Sequence, residues 1–169
     1  MAGTLLIFGS TILTGLKTTL GSTVGGASIP WRVESDPLNY VSDSTNPNFP
    51  TNAFPAVVIE PISWPRIEYT TDDPYWVTQL YTGKVFLIEH IPNSTTTSAY
   101  AQTRDRTTIL AQRVANTQTL NVANPLSDGT SFVRYVSVTN IDLRSPEHRL
   151  LQEMGQRKIV GCFEFEVEV

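Results

Sequence analysis

Glu164, Glu166 and Glu168 occupy every second position near the end of the chain, and the residues between them, Phe163, Phe165 and Val167, are apolar. Side chains alternate across a β-strand, so this spacing predicts a strand over 159–169 with one apolar face and one row of carboxylates. A row of carboxylates can meet arginines and lysines of another surface, or it can keep a polyanion such as DNA from adhering. The residues alone leave both open. The strand is expected in the middle of its sheet, with the apolar face under helices and the acidic face toward open surface. Cys162 falls on the acidic side as a small strand residue. As the single cysteine it forms no internal disulfide.

Other chemistry-bearing residues form weaker patterns. His90 follows Glu89 at the end of a long apolar strand, and His148 follows Glu147 in a charged segment; neither belongs to a paired-histidine metal pattern. Asp72-Asp73 precedes Pro74 and reads as a turn rather than a cation loop. The glycines from Gly21 to Gly26 lack the lysine and the preceding strand of a phosphate-binding loop. No catalytic constellation emerges, and no metal or cofactor is implied. A small hydrolase built on Asp72, Asp73, His90 or His148, and a carbohydrate-binding surface built on Trp31, Trp64 and Trp76, are the competing readings.

Charge is distributed unevenly. Residues 1–100 carry four basic and eight acidic side chains, residues 101–158 carry eight and five, and residues 159–169 carry three acids and no base. Arg104, Arg106, Arg113, Arg149, Arg157 and Lys158 are therefore candidates to meet an acidic patch on a neighbouring copy. Head-to-tail contacts between two different complementary surfaces close into rings. Aromatic residues in the loops, Trp64, Tyr69 and Trp76 among them, are candidate interface anchors.

The whole chain of 169 residues is long enough for one domain with a full core. Its net charge of −4 argues against a dedicated nucleic-acid binder. No uninterrupted apolar run reaches membrane-spanning length, and Lys17 is the first charge, so neither a membrane partner nor a secretory start is expected.

The elements that must position these residues follow from periodicity. Leu5, Phe8, Ile12, Leu16 and Leu20 predict a helix over 4–20, with Thr4 as its cap. A short strand is expected at Trp31–Glu34 within an otherwise irregular 21–53, and 36–52 is expected as a long loop. Phe54–Pro61 is a buried strand bracketed by prolines. A loop over 63–74 leads to a long strand, Trp76–Ile91, in which Gly83 marks a possible site for a bulge. A second helix is expected over Tyr100–Leu120, capped by Ser98, with Ile109, Leu110 and Val114 buried and Arg104, Arg106 and Arg113 on its exposed side. Phe132–Leu143 is a strand offering Val136, Val138 and Ile141 for burial, and 144–158 is a charged excursion before the last strand. The expected fold is α+β: a mostly antiparallel sheet with two helices packed on one face and long loops.

This order of elements resembles the tail-terminator proteins of long-tailed bacteriophages. The features that carry the resemblance are the amphipathic helix Leu5–Leu20, the Phe54–Ile59 strand, the long strand ending in Val85-Phe86-Leu87-Ile88 before the helix at Tyr100–Leu120, and the closing strand through Gly161-Cys162-Phe163-Glu164-Phe165-Glu166-Val167. The resemblance spans residues 1–169 as a single domain, with 36–52 and 144–158 looking like insertions. It implies a virion neck protein, assembled in the host cytoplasm. It also implies a homo-oligomeric ring, a hexamer, that caps the tail-tube protein, joins the head-side connector protein and lets DNA pass without sequence-specific binding. Under it, Glu164, Glu166 and Glu168 are candidates for the channel lining. A head-completion or stopper protein is the nearest alternative.

Overall fold

The computed structural model describes residues 9–29, 31–36, 54–62, 66–69, 77–90, 96–117, 135–142 and 158–169. Helix α1 runs from Gly9 to Leu20. Ile12, Leu16 and Leu20, one helical turn apart, are fully buried. Gly21, at φ 73°, ends the helix in the left-handed conformation that a side chain disfavours. The first part of the expected helix, with Leu5 and Phe8, lies outside the described residues.

Two segments expected as loop are strands. Thr23–Val24 (β1) and Ala27–Ser28 (β2) form an antiparallel hairpin. Its turn residues, Gly25 and Gly26, both have positive φ, at 51° and 79°. That geometry matches the right-handed twist of the flanking strands and requires residues tolerant of positive φ. Arg66–Tyr69 (β5) falls inside the expected 63–74 loop and pairs antiparallel with the first residues of the long strand.

The main sheet contains β3 (Trp31–Glu34), β4 (Ala56–Ile59), β6 (Val77–His90), β7 (Tyr135–Asp142) and β8 (Lys158–Glu168), in the order β3-β4-β6-β8-β7. β5 joins β6 beside β4. Among the described residues only β3 and β4 run parallel; every other pairing in this sheet is antiparallel. β8 pairs along its full length with Leu80–His90 and lies between β6 and β7, the interior position expected of it. Pairing continues to Val169, whose N–H donates to the Gln79 carbonyl at 2.9 Å.

Gly83 is not a bulge: the register runs through it without interruption. Its missing side chain makes room for Phe165, whose Cζ would lie 2.9 Å from an added Cβ. The irregularity is instead in β7, where the register shifts between Thr139 and Asp142 and Asn140 adopts φ 52°. The break ends the alternation there, so Ile141 is exposed rather than buried, while Val136 and Val138 pack on the core as expected.

Helix α2 runs from Thr96 to Ala115, beginning about a turn before the expected Tyr100 and ending before Leu120. Ser98 lies within its first turn rather than at its cap. Its buried stripe is Ala99, Thr103, Thr107, Leu110, Ala111 and Val114. Two threonines, Thr103 and Thr107, thus belong to the buried stripe alongside the expected Leu110 and Val114. The Thr107 hydroxyl donates to the Thr103 carbonyl at 2.7 Å, satisfying it inside the core. Both helices cover one sheet face, and Ile12, Leu16, Leu20, Leu110 and Val114 join Val57, Ile59, Val85, Leu87, Phe163, Phe165 and Val167 in one cluster.

The opposite face departs from expectation. It was to be open, yet Ala56, Val58, Phe86, Ile88, Val160 and Cys162 form a second buried cluster there, with Val33 and Phe54 packed against it. Cys162 belongs to this apolar half rather than to the acidic row. The face changes character between Cys162 and Glu164 on β8, and between Phe86 and Lys84 on β6, positions that stand opposite each other.

Tyr81 is the largest side chain buried under the helices, and burial raises its hydroxyl pKa above the ordinary value. The unfolded chain ionises at about pH 10. Above that pH the folded state holds the proton longer, so the contribution of Tyr81 to stability falls as pH rises. Urea titrations at pH 9 and pH 11 should show the stability difference between wild type and Tyr81→Phe moving against the wild type at the higher pH. An unchanged difference would remove the phenol from the core.

Candidate functional site

The acidic strip is set by the same alternation that buries its neighbours. Phe163, Phe165 and Val167 are at most 2% exposed beneath the helices, which turns Glu164, Glu166 and Glu168 to the other face, each half-buried. Along a strand, alternate residues lie about 7 Å apart, so the three carboxylates form a row about 13 Å long. At that spacing the repulsion between neighbours in water is only about 0.6 kcal/mol, small enough for the sheet to hold them in line.

The flanks of Glu164 and Glu166 are polar. On β6, Lys84 stands opposite Glu164, Thr82 opposite Glu166 and Leu80 opposite Glu168. On β7 the corresponding residues are Thr139, Ser137 and Tyr135, the last exposed. Asn140 Nδ2 donates to Glu164 Oε2 at 2.7 Å. The β7 irregularity therefore serves to aim an amide at the first carboxylate. Glu164 has a cation and an amide beside it, whereas Glu166 lies between two hydroxyl residues. The strip is a negative surface increasing in bareness from Glu164 onward.

The basic residues expected to face a neighbour are divided by the structure. Arg104 is exposed and, among the described residues, pairs with Asp105 on its own helix, at 3.3 Å. Arg106 is not on the exposed side of α2. It forms a buried ion pair with Glu89, which also accepts the Thr103 hydroxyl at 2.6 Å. Arg113 is also engaged within the fold. Its guanidinium donates to the Leu20 carbonyl at 2.7 Å and the Thr23 carbonyl at 2.6 Å, closing the end of α1 and fastening the β1–β2 hairpin. A helix leaves its last carbonyls unpaired, and an arginine fork reaching across from another helix satisfies them.

Lys158 begins β8 half-buried; its ammonium lies 3.0 Å from His90 Nδ1 and 4.2 Å from the centre of the Phe54 ring. Arg149, Arg157, Trp64, Trp76, His148, Asp72 and Asp73 lie outside the described residues. Tyr69 ends β5, with Val77 opposite it. Among the described residues no group of three His, Cys, Asp or Glu side chains is placed to hold a metal ion.

The Glu89–Arg106–Thr103 group is the polar feature that the sequence reading missed. A signal was present. Val85, Leu87 and Glu89 share the helix-facing side of β6, so continuing the alternation puts a carboxylate in the core, where it requires a cation on the covering helix.

The chain matches no model of a known protein family, and no match emerges among characterised proteins.

Proposed function

We propose that this chain is a structural subunit of a phage neck, a tail terminator whose copies form a ring, a hexamer, capping the tail tube and meeting the head-side connector, with DNA passing through its centre. The observation that carries this reading is the acidic strip. A row of three glutamates is held in the middle of a sheet, on the face away from both helices, and among the described residues no hydrogen bond or ion pair engages the Glu166 or Glu168 carboxylate. Carboxylates lining a passage repel phosphates and let DNA slide without adhering.

The internal roles of Arg106 and Arg113 bear on the choice left open by sequence. Both are committed to the fold, which leaves fewer cations to mate with the strip of a neighbouring copy. That favours a channel lining over an intersubunit ion-pair zipper.

Sedimentation of the purified protein, alone and with tail tubes, tests the ring. The expected result is a closed oligomer, formed alone or on the tubes; a strict monomer even with tubes present would sink the reading. The lining is tested by Glu164→Lys/Glu166→Lys/Glu168→Lys. The substituted ring is expected to retain DNA at low salt where the wild type releases it, an effect that fades as salt rises. If the triple variant instead fails to assemble, the strip is an intersubunit surface.

A further inference from the structure

The main sheet has β7 at one edge and β3 at the other, and the hydrogen bonds inside it fix which backbone groups each edge leaves open. Gln79 and Val169 exchange both of their backbone bonds, at 3.2 and 2.9 Å. Antiparallel partners alternate between bonded and non-bonded pairs. Odd-numbered residues of β8 therefore bond to β6, and Glu164, Glu166 and Glu168 bond to Thr139, Ser137 and Tyr135 on β7. That leaves the N–H and C=O groups of Val136 and Val138 aimed outward, and the irregularity after Thr139 ends the series. On β3 the Ser35 N–H donates to the Ile59 carbonyl at 3.0 Å, so Val33 and Ser35 turn their backbone groups to β4. Arg32 and Glu34 turn theirs away from the sheet. Among the described residues no strand pairs with the outer side of either edge. A row of open N–H and C=O groups is a template for another strand.

We infer that the two edges join: β7 of one copy pairs antiparallel with β3 of the next, Val136 opposite Glu34 and Val138 opposite Arg32, as the head-to-tail joint of the ring. This rests on the ring reading above and names the surface that closes it. Each edge offers two outward residues with one between them, so the joint makes four backbone hydrogen bonds. The strand directions agree. A copy set beside β7 with its helices on the same side presents β3 running the opposite way. The faces agree as well. Val136 and Val138 pack on the helix-covered cluster, and Arg32 and Glu34 stand opposite Val57 and Ile59 of that same cluster. Both charged residues of β3 then face valines, so no like charges are set opposite each other.

Electrostatics disfavours the two symmetric alternatives. Pairing β7 with β7 would bring the acidic strips of two copies to about 14 Å, three strand spacings. The head-to-tail joint keeps them five spacings apart, about 24 Å, or about three screening lengths at physiological salt. Pairing β3 with β3 would set Arg32 opposite the Glu34 of the other copy. The Arg32 guanidinium is already engaged, donating to the Lys17 carbonyl at 2.7 Å.

Glu34→Pro tests the joint, because at an edge a proline removes only an N–H that points out of the sheet. The variant is expected to keep the wild-type circular dichroism spectrum and to lose the oligomer in sedimentation, alone and with tail tubes. Tyr135→Cys/Ser35→Cys places two thiols opposite each other across the joint, and oxidation should give a ladder of covalent multimers on a non-reducing gel. Thr139→Cys/Ser35→Cys, four positions out of register, should give none. An oligomer that survives Glu34→Pro overturns the joint and leaves the ring reading standing. So does a Tyr135→Cys/Ser35→Cys protein that assembles without cross-linking, or a Ser137→Cys protein that cross-links to itself through paired β7 edges. A wild-type protein that never assembles, with or without tubes, sinks the ring reading and the joint together.

Discussion

Gly161→Ala should lower the unfolding free energy by about 3 kcal/mol, at or beyond the upper end of what overpacking a core costs. The reason is a contact with almost no slack. A Cβ added at Gly161 would lie 2.0 Å from Thr107 Oγ1, 3.0 Å from Thr107 Cβ and 3.1 Å from its Cγ2. Thr107 is 1% exposed, and its hydroxyl is tied to the Thr103 carbonyl, so the side chain has nowhere to turn. Relief requires α2 to lift from β8, and lifting it opens the packing of Leu110 and Val114 over Phe163 and Phe165. Urea unfolding monitored by far-UV circular dichroism gives the loss directly. Thr107→Ala removes the nearest atom, so Gly161→Ala should cost less in that background than in the wild type. A Gly161→Ala variant within about 0.5 kcal/mol of the wild type, the range of a neutral surface change, would show that helix and strand are not so closely seated.

That contact also shows where reading the sequence stopped. Long alternating segments were legible: β8 and β6 match their expected spans closely, because period two over a half-buried strand is imposed by geometry and persists in any sheet. The acidic strip was legible for the same reason. β1, β2 and β5 are too short to show a period, although the Gly25-Gly26 pair between Thr23-Val24 and Ala27-Ser28 is itself a hairpin signature. The stripe of α2 was partly misjudged because Thr103 and Thr107 are polar by type. Thr107 is small enough to let α2 approach a glycine on β8, and its hydroxyl is satisfied within the helix, while that of Thr103 is satisfied by Glu89 on β6. Arg106 and Arg113 looked like surface charge because nothing local distinguishes an exposed arginine from one whose partners lie far away in sequence. The partner carbonyl of Arg113 at Leu20 is 93 residues distant. Cys162 was placed on the right face but given the wrong neighbours, since the apolar cover of that face comes from β4 and β6.

The two faces have different roles in the proposed function. The helix-covered face fixes the position of β8, and β8 in turn holds the carboxylates in line on the other side. A device that keeps α2 on the sheet therefore keeps the acidic strip straight as well. Two such devices are visible: the Thr107–Gly161 seat in the middle of the helix, and the Arg106–Glu89 pair beside it.

The second device leads to the other large expected effect. Glu89→Leu should destabilise the fold by about 3–5 kcal/mol, the cost of breaking a buried ion pair by removing one partner. The side chains of Arg106 and Glu89 are 13% and 9% exposed, so little water can replace a lost partner. With Glu89 gone, the Arg106 charge stays buried, and Nε, already without a hydrogen-bond partner, loses its compensating carboxylate nearby. The Thr103 hydroxyl loses its acceptor in the same stroke. Arg106→Leu leaves the opposite orphan, a buried carboxylate with only Thr103 beside it, and should cost a similar amount. The decisive variant is the double one. Replacing both charges with leucine removes the uncompensated group and adds apolar area, so Glu89→Leu/Arg106→Leu should be more stable than either single variant. Chemical unfolding of the four proteins closes this cycle. Additive losses would mean that the two groups act independently, and that the clamp between α2 and the end of β6 is made by packing rather than by charge.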